Sequence, residues 1–136
     1  MKLYIAGPMD GYPEHNFPAF AEAAAQLRAV GYEVVSPHEQ EWNKDLTHPR
    51  EWYLRQDFPL ICTVDGIALL DGWEHSIGSN RERTVGEFLA IPSARVSWWL
   101  GLRDGTFAVS ALPPPFPPDV WQPIGGYVKR VPTNPW

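Results

Sequence analysis

The spacing of apolar residues switches repeatedly between short unbroken runs and a helical period, and each switch marks an element. Residues 2–6 (Lys-Leu-Tyr-Ile-Ala) are a short apolar run stopped by Gly7-Pro8, which predicts a buried strand. Residues 7–16 are rich in turn formers. From Phe20, the positions Ala23, Ala24, Leu27 and Val30 complete one helical stripe. Asn16 is placed to cap that helix, Pro18 falls in its first turn, and Gly31 stops it. Residues 32–35 predict a second strand. A second helix is expected from Thr47 to Cys62, with Pro59 kinking or shortening it. Residues 66–70 (Gly-Ile-Ala-Leu-Leu) are apolar throughout, as a central parallel strand would be. Residues 79–90 predict a third helix, and Arg95 to Leu100 a fourth strand. Thr106 to Ser110 is a candidate last strand.

Strands alternating with helices predict an α/β fold of Rossmann-like type: a parallel sheet of four to five strands flanked by helices, joined by right-handed crossovers. The rhythm fades after Gly101. Eight of the fifteen prolines fall in the last 27 residues, and Pro113 to Pro118 cannot pair centrally in a sheet. The expected division is an α/β domain over residues 1–100. An irregular Pro- and Trp-rich extension over 101–136 would pack on that domain or on a neighbouring subunit.

With 136 residues the chain has room for one domain with a substantial core. Eleven basic against sixteen acidic residues give a net charge of -5. With no Lys/Arg run, a nucleic acid polymer is not an expected partner. A single nucleotide, needing few donors, remains compatible. One cysteine, Cys62, excludes an intrachain disulfide and a Cys-based zinc site, and points to a reducing, cytoplasmic setting. It is expected to be a small buried helix residue. No apolar stretch is long enough for a membrane span. His15, His38, His48 and His75 lack metal-ligand spacing, so neither a metal nor a cofactor is expected.

In an open parallel sheet, ligands bind beyond the carboxyl ends of the strands, where strand order reverses. That rule selects the loops after strands one and three. The first runs Gly7-Pro8-Met9-Asp10-Gly11, whose glycines let backbone approach a ligand. The second runs from Asp71 through Trp73, His75 and Ser76 to Gly78 and Ser79, into a helix whose free N–H groups favour an anion. Trp73 is the tryptophan best placed to flank a base, or else to anchor its loop. Trp42 and Trp52 are expected near the pocket mouth. Trp98 and Trp99, adjacent in a strand, would face opposite sides. Three carboxylates accompany these loops: Glu82 early in the third helix, Asp57 in the second, and Asp65 before the third strand. Glu82 faces the sheet end if Val85 and Leu89 face the core. Two carboxylates converging on one cleft are what glycosidic-bond chemistry needs.

Tyr4-Ile-Ala-Gly-Pro-Met9 and Asn16-Phe-Pro-Ala-Phe20 resemble the opening of the nucleoside 2-deoxyribosyltransferase-like superfamily. Tyr53-Leu-Arg-Gln-Asp57, Asp65-Gly-Ile-Ala-Leu-Leu-Asp-Gly-Trp73, Ser76-Ile-Gly78 and Glu82 extend the resemblance over about residues 1 to 92. It is greatest to a short branch found in phage and bacterial genomes. The resemblance implies a flavodoxin-like fold and cleavage or transfer of the N-glycosidic bond of a 2′-deoxynucleoside or its 5′-monophosphate. It implies that Glu82 attacks C1′, that Asp57 handles the proton of the leaving base, and that Tyr4 orients Glu82. Gly7, Pro8 and Met9 would line the sugar and base pocket, with Asp10, Gly11, Asp65, Trp73, Gly78 and Ser79 as further substrate contacts.

On this reading Asp57 needs a raised pKa, and Glu82 is kept ionised by its helix N-terminus. Six residues before the glutamate, transferases of free nucleosides tend to carry an acid, and monophosphate N-glycosidases a serine. Here Ser76 stands there, so hydrolysis of a monophosphate is expected, with His75 and Ser79 also in reach of the phosphate. Gly86 stands where the superfamily favours alanine. Family sites are often completed by a neighbouring subunit near the chain end, so a homodimer or higher homo-oligomer is expected. Tyr127, Asn134 and Trp136 are candidates for that contribution.

Overall fold

A computed structural model describes residues 1–104, 121–124 and 127–130. Four strands, β1 (Lys2–Ala6), β2 (Glu33–Val35), β3 (Gly66–Leu69) and β4 (Ser93–Arg95), form one parallel sheet in the order β2-β1-β3-β4. This is the doubly wound order in which the chain reverses direction between β1 and β3. Four helices, α1 (Phe17–Ala29), α2 (Arg50–Ile61), α3 (Ile77–Phe88) and α4 (Val96–Asp104), connect and flank the strands. The two remaining strands, β5 (Trp121–Ile124) and β6 (Tyr127–Arg130), pair antiparallel. The expected strand at Thr106 to Ser110 and the proline run at Pro113 to Pro118 lie outside the described residues.

Strand periodicity divides the core. Leu3 and Ile5 of β1 pack with Phe20, Leu27 and Trp99 on one face. Tyr4 and Ala6 pack with Ile61, Ile67 and Ile91 on the other. The alternation of successive side chains sends Tyr4 toward α2 and α3 rather than α1 and α4. The α1 stripe buries Phe20, Ala23, Ala24 and Leu27 as expected, but Val30 is exposed past the helix end.

Asn16 precedes α1 without capping it. It adopts a left-handed φ of 61°, and its amide instead donates to the Pro8 carbonyl at 2.9 Å. Glu14 and His15 are left-handed too, with φ of 52° and 53°. The helix α2 runs through Pro59 to Ile61, buries Leu54, Asp57 and Ile61, and leaves Cys62 just beyond it exposed rather than buried.

The segment expected as a strand over Arg95 to Leu100 departs most from its reading. Only Ser93–Arg95 pairs with β3, and the chain then enters α4. Val96, Trp99, Leu100 and Arg103 keep a helical spacing that the aromatic, β-branched composition masks. Trp99 is 1% exposed, stacks edge-on against Tyr32 and donates its indole N–H to the Ile67 carbonyl at 3.0 Å. Its ring lies so close over Gly66 that a Cβ there would come within 2.5 Å of it. The helix itself runs from Val96 to Asp104, across residue 100.

Candidate active site

A cleft of about 400 Å³ opens at the carboxyl end of the sheet, between the β1–α1 loop, the β2–α2 loop, α2 and the start of α3. Sites for small molecules commonly fall in this size range. Asp57 from α2 and Glu82 from α3 both line it. Glu82 is 6% and Asp57 5% exposed, so both carboxyl groups are taken out of water.

Their partners come from different elements. The fully buried Tyr4 donates its hydroxyl to Glu82 Oε1 at 2.7 Å. The indole N–H of Trp42 donates to Asp57 Oδ1 at 2.9 Å. Gly86, one turn after Glu82, lets α3 ride close to the sheet, since a Cβ there would approach Ile67 Cδ1 to 2.5 Å. This explains glycine where alanine was expected. Of the two residues whose facing the core would aim Glu82 at the sheet end, Val85 packs against the core and Leu89 is exposed at the end of α3.

Burial dominates the electrostatics. It pushes Asp57 up to about 6, against the opposing hydrogen bond from Trp42. It pushes Glu82 up to about 8, against the opposing hydrogen bond from Tyr4 and with the added repulsion of Asp57. Burial, then the charges of Glu82 and Asp57, hold Tyr4 well above an ordinary tyrosine, so it remains a donor. Burial thus opposes the ionised state that the helix N-terminus was expected to favour at Glu82. Glu82 lies beyond the first turn of α3, where the helix N-terminus has little effect. Between about pH 6 and about 8 the pair carries one proton. One carboxylate and one carboxylic acid are the set that acid-assisted glycosidic cleavage uses.

The α3 N-terminus borders the same cleft. Ser76 caps α3, its Oγ accepting from the Ser79 backbone N–H at 3.2 Å and from the Ser79 hydroxyl at 3.0 Å. Gly7, Met9, Asp10, Ser76, Gly78 and Ser79 line the cleft alongside Asp57 and Glu82.

Other expected contacts lie elsewhere. Asp65 sits at the opposite, amino end of the sheet, accepting the Lys2 backbone N–H at 2.7 Å. Pro8 is buried beside the cleft and serves as an acceptor for Asn16. Gly11 forms an exposed turn with φ of 79°. Trp73 packs against the core, with the Arg83 guanidinium 5.3 Å over its ring. His75 borders a separate groove between α2 and α3. Tyr127 lies in β6, with nothing described of its side chain, and Asn134 and Trp136 lie outside the described residues.

Sequence reasoning missed Asn43, His48 and Arg50 of the cleft wall. They belong to an aperiodic loop and its exit, where Pro49 directly before α2 was the available signal. Trp42 was expected at the pocket mouth, but its bond to Asp57 spans fifteen residues and has no local signature. Among the described residues, no group of His, Cys, Asp or Glu is arranged to hold a metal ion. None of the described helices is long and apolar enough to cross a membrane.

The solved structure of a 2-deoxyribosyltransferase from Bacillus psychrosaccharolyticus is similar at a TM-score of 0.55 and 22% identity, over 68% of this chain and 69% of that one. That likeness shows a shared α/β fold. No curated protein sequence matches the chain. A family model described as a domain of unknown function, DUF4406, matches residues 1–92. Asp57, Glu82 and the tyrosine behind Glu82 fall inside that match, and the chain belongs to the DUF4406 family.

Proposed function

We propose that this chain is an N-glycosidase that hydrolyses a 2′-deoxynucleoside 5′-monophosphate to free base and deoxyribose 5-phosphate. The observation that carries the reading is the buried Tyr4–Glu82 hydrogen bond facing the same cleft as Asp57. In the first step Glu82 attacks C1′ as a carboxylate, and the C1′–N bond breaks with its electron pair leaving on the base. Asp57 supplies the proton that makes the base a competent leaving group. Water then attacks C1′, giving a proton to Asp57 and releasing Glu82 and the sugar phosphate. Substrate binding must shift the shared proton from Glu82 toward Asp57. The Tyr4 hydroxyl favours that shift because it stabilises the ionised glutamate. Ser76 and the α3 N-terminus receive the phosphate.

The pH profile follows from this pair. Below about pH 6 both carboxyl groups are protonated and the nucleophile is lost; above about 8 both are ionised and the acid is lost. A bell-shaped kcat/KM with limbs near those values is expected, reporting the pair rather than either residue. A flat profile from pH 5 to 9 would remove the pair from the mechanism.

A second reading, sugar transfer between bases, is favoured by the likeness to a 2-deoxyribosyltransferase. The deciding experiment is chromatographic. Wild type and Glu82→Gln are incubated with deoxynucleosides and their 5′-monophosphates, with and without an added acceptor base. Base release from a monophosphate, lost in the variant, supports hydrolysis. A new nucleoside or nucleotide formed with the acceptor supports transfer, and silence across the panel leaves a binding module.

The proposal includes a homo-oligomer. An apolar groove between α2 and α3, where Ile77 is 53% exposed, shares Leu54 and Ser76 with the cleft. The expected solution mass is a multiple of 15.4 kDa. A monomeric mass with full activity would refute it.

A further inference from the structure

We propose that Arg50 is the side chain that reads the 5′-phosphate, and that Asp10 holds its guanidinium until the phosphate takes it. This deepens the reading above and rests on it for the identity of the anion. The charge of the cleft poses the problem. Its described lining carries three acidic side chains, Asp10, Asp57 and Glu82, and a phosphate dianion would meet a repelling wall. Ser76 and Ser79 offer hydroxyl groups but no charge. Arg50 is the one arginine or lysine among the described lining residues.

Arg50 opens α2, and its Nη2 lies 2.7 Å from Asp10 Oδ2, on the β1–α1 loop facing it. Glu51, next in the chain, pairs with Arg81 of α3 at 3.3 Å. The start of α2 is thereby tied to α3, and Arg50 lines the same cleft as Ser76 and Ser79. In this proposal the phosphate lies between them, within reach of the guanidinium.

The existing pair is easily surrendered. The Asp10 side chain is 84% exposed and that of Arg50 38%, so their ion pair is screened and contributes little. The present pair uses one bond, from Nη2 to Oδ2, whereas a phosphate dianion carries more charge than a carboxylate and can engage both arms of the fork. Exchange of one anion for the other keeps the cation paired in both states. It frees Asp10 to swing into water, away from the bound phosphate. A free nucleoside brings no such competitor and leaves the pair closed. Discrimination then arises from which ligand can take the guanidinium from Asp10.

Binding is measured without turnover, on a Glu82→Gln background that is otherwise wild type or also carries Arg50→Gln, Arg50→Lys or Asp10→Asn, and base release is followed in the counterparts that keep Glu82. Each is titrated calorimetrically with the four common deoxynucleoside 5′-monophosphates and their nucleosides, at low and moderate salt. The readout is the ratio of nucleoside Kd to monophosphate Kd. Arg50→Gln is expected to lower that ratio at least tenfold and to flatten its salt dependence. Arg50→Lys, which keeps the charge but loses the fork, should lower it less. Asp10→Asn should raise the ratio a few-fold by removing the competitor. A ratio unmoved by Arg50→Gln overturns the assignment, as does the Glu82→Gln parent binding none of the monophosphates. Discriminating binding without base release supports the assignment while removing the hydrolase reading. Base release with an unmoved ratio overturns the assignment while leaving the hydrolase standing.

Discussion

Glu82→Gln is expected to abolish base release, by roughly 10³-fold or more, while making the protein more stable at neutral and alkaline pH. The two effects share one cause. The amide cannot attack C1′, and loss of a nucleophile is among the most costly single changes an enzyme suffers. The same substitution removes a buried acid that the fold holds at an energetic cost. Burial raises Glu82 from 4.5 to about 8 in the folded chain. A raised folded pKa means the native state binds the proton more tightly than the unfolded chain. The corresponding stability is fully present below about 4.5 and is lost as pH climbs toward about 8. Glutamine is nearly isosteric, still accepts from Tyr4 and does not titrate. The Tm difference between variant and wild type should therefore be small near pH 4.5 and widen to ~5 °C or more by pH 8. Thermal denaturation at several pH values checks this. A gap that fails to widen would mean Glu82 is ionised at neutral pH in the native state. Retained base release would remove Glu82 from the chemistry.

Trp99→Ala is the expected extreme on the stability side. The ring fills the space over Gly66, meets Tyr32 edge-on and satisfies the buried Ile67 carbonyl. Gly66 and Trp99 are fitted to each other, so nothing nearby is positioned to fill the vacated volume. Truncating a buried aromatic of this kind costs ~3–5 kcal/mol. For a domain this size that is a large share of total stability, ~5–15 kcal/mol. The urea midpoint should fall steeply with an unchanged m-value. A loss below ~1 kcal/mol would place the ring outside the core. Because Trp99 packs on the α1 and α4 face, away from Tyr4 and Glu82, molecules that remain folded should keep their turnover.

The contrast between these two positions shows where the sequence is readable. Glu82, Asp57 and Tyr4 stand in the motif blocks Tyr4 to Met9, Tyr53 to Asp57 and Ser76 to Glu82, each on a regular element. Strand alternation fixes the face of Tyr4, and the doubly wound topology brings the segments after β1 and β3 to the carboxyl end of the sheet. Val-Ser-Trp-Trp-Leu carries strand-like composition over a helical spacing, and the spacing prevails, so Trp99 lies in α4. Arg50, Asn43 and Trp42 were beyond reach for another reason. Their partners are set by how a long aperiodic loop folds back on α2, and no local rule encodes that path. The protonation of the pair was the other hidden quantity. Helix position suggested an ionised Glu82, but the opposing burial belongs to the assembled core.

The left-handed run at Glu14, His15 and Asn16 bears on which sequences this fold can accept. Surface loops ordinarily drift freely because their side chains touch little. Here the restriction lies in backbone handedness, which costs ~1–2 kcal/mol for each ordinary residue held there. Asparagine tolerates this conformation and glycine is at ease in it, whereas valine, isoleucine and threonine are not. His15 also lines the cleft, so the run fixes the backbone that carries one residue of its wall. Related chains should therefore vary in charge and size along this loop yet avoid branched residues in it, leaving a record of backbone geometry where exposure alone would predict indifference.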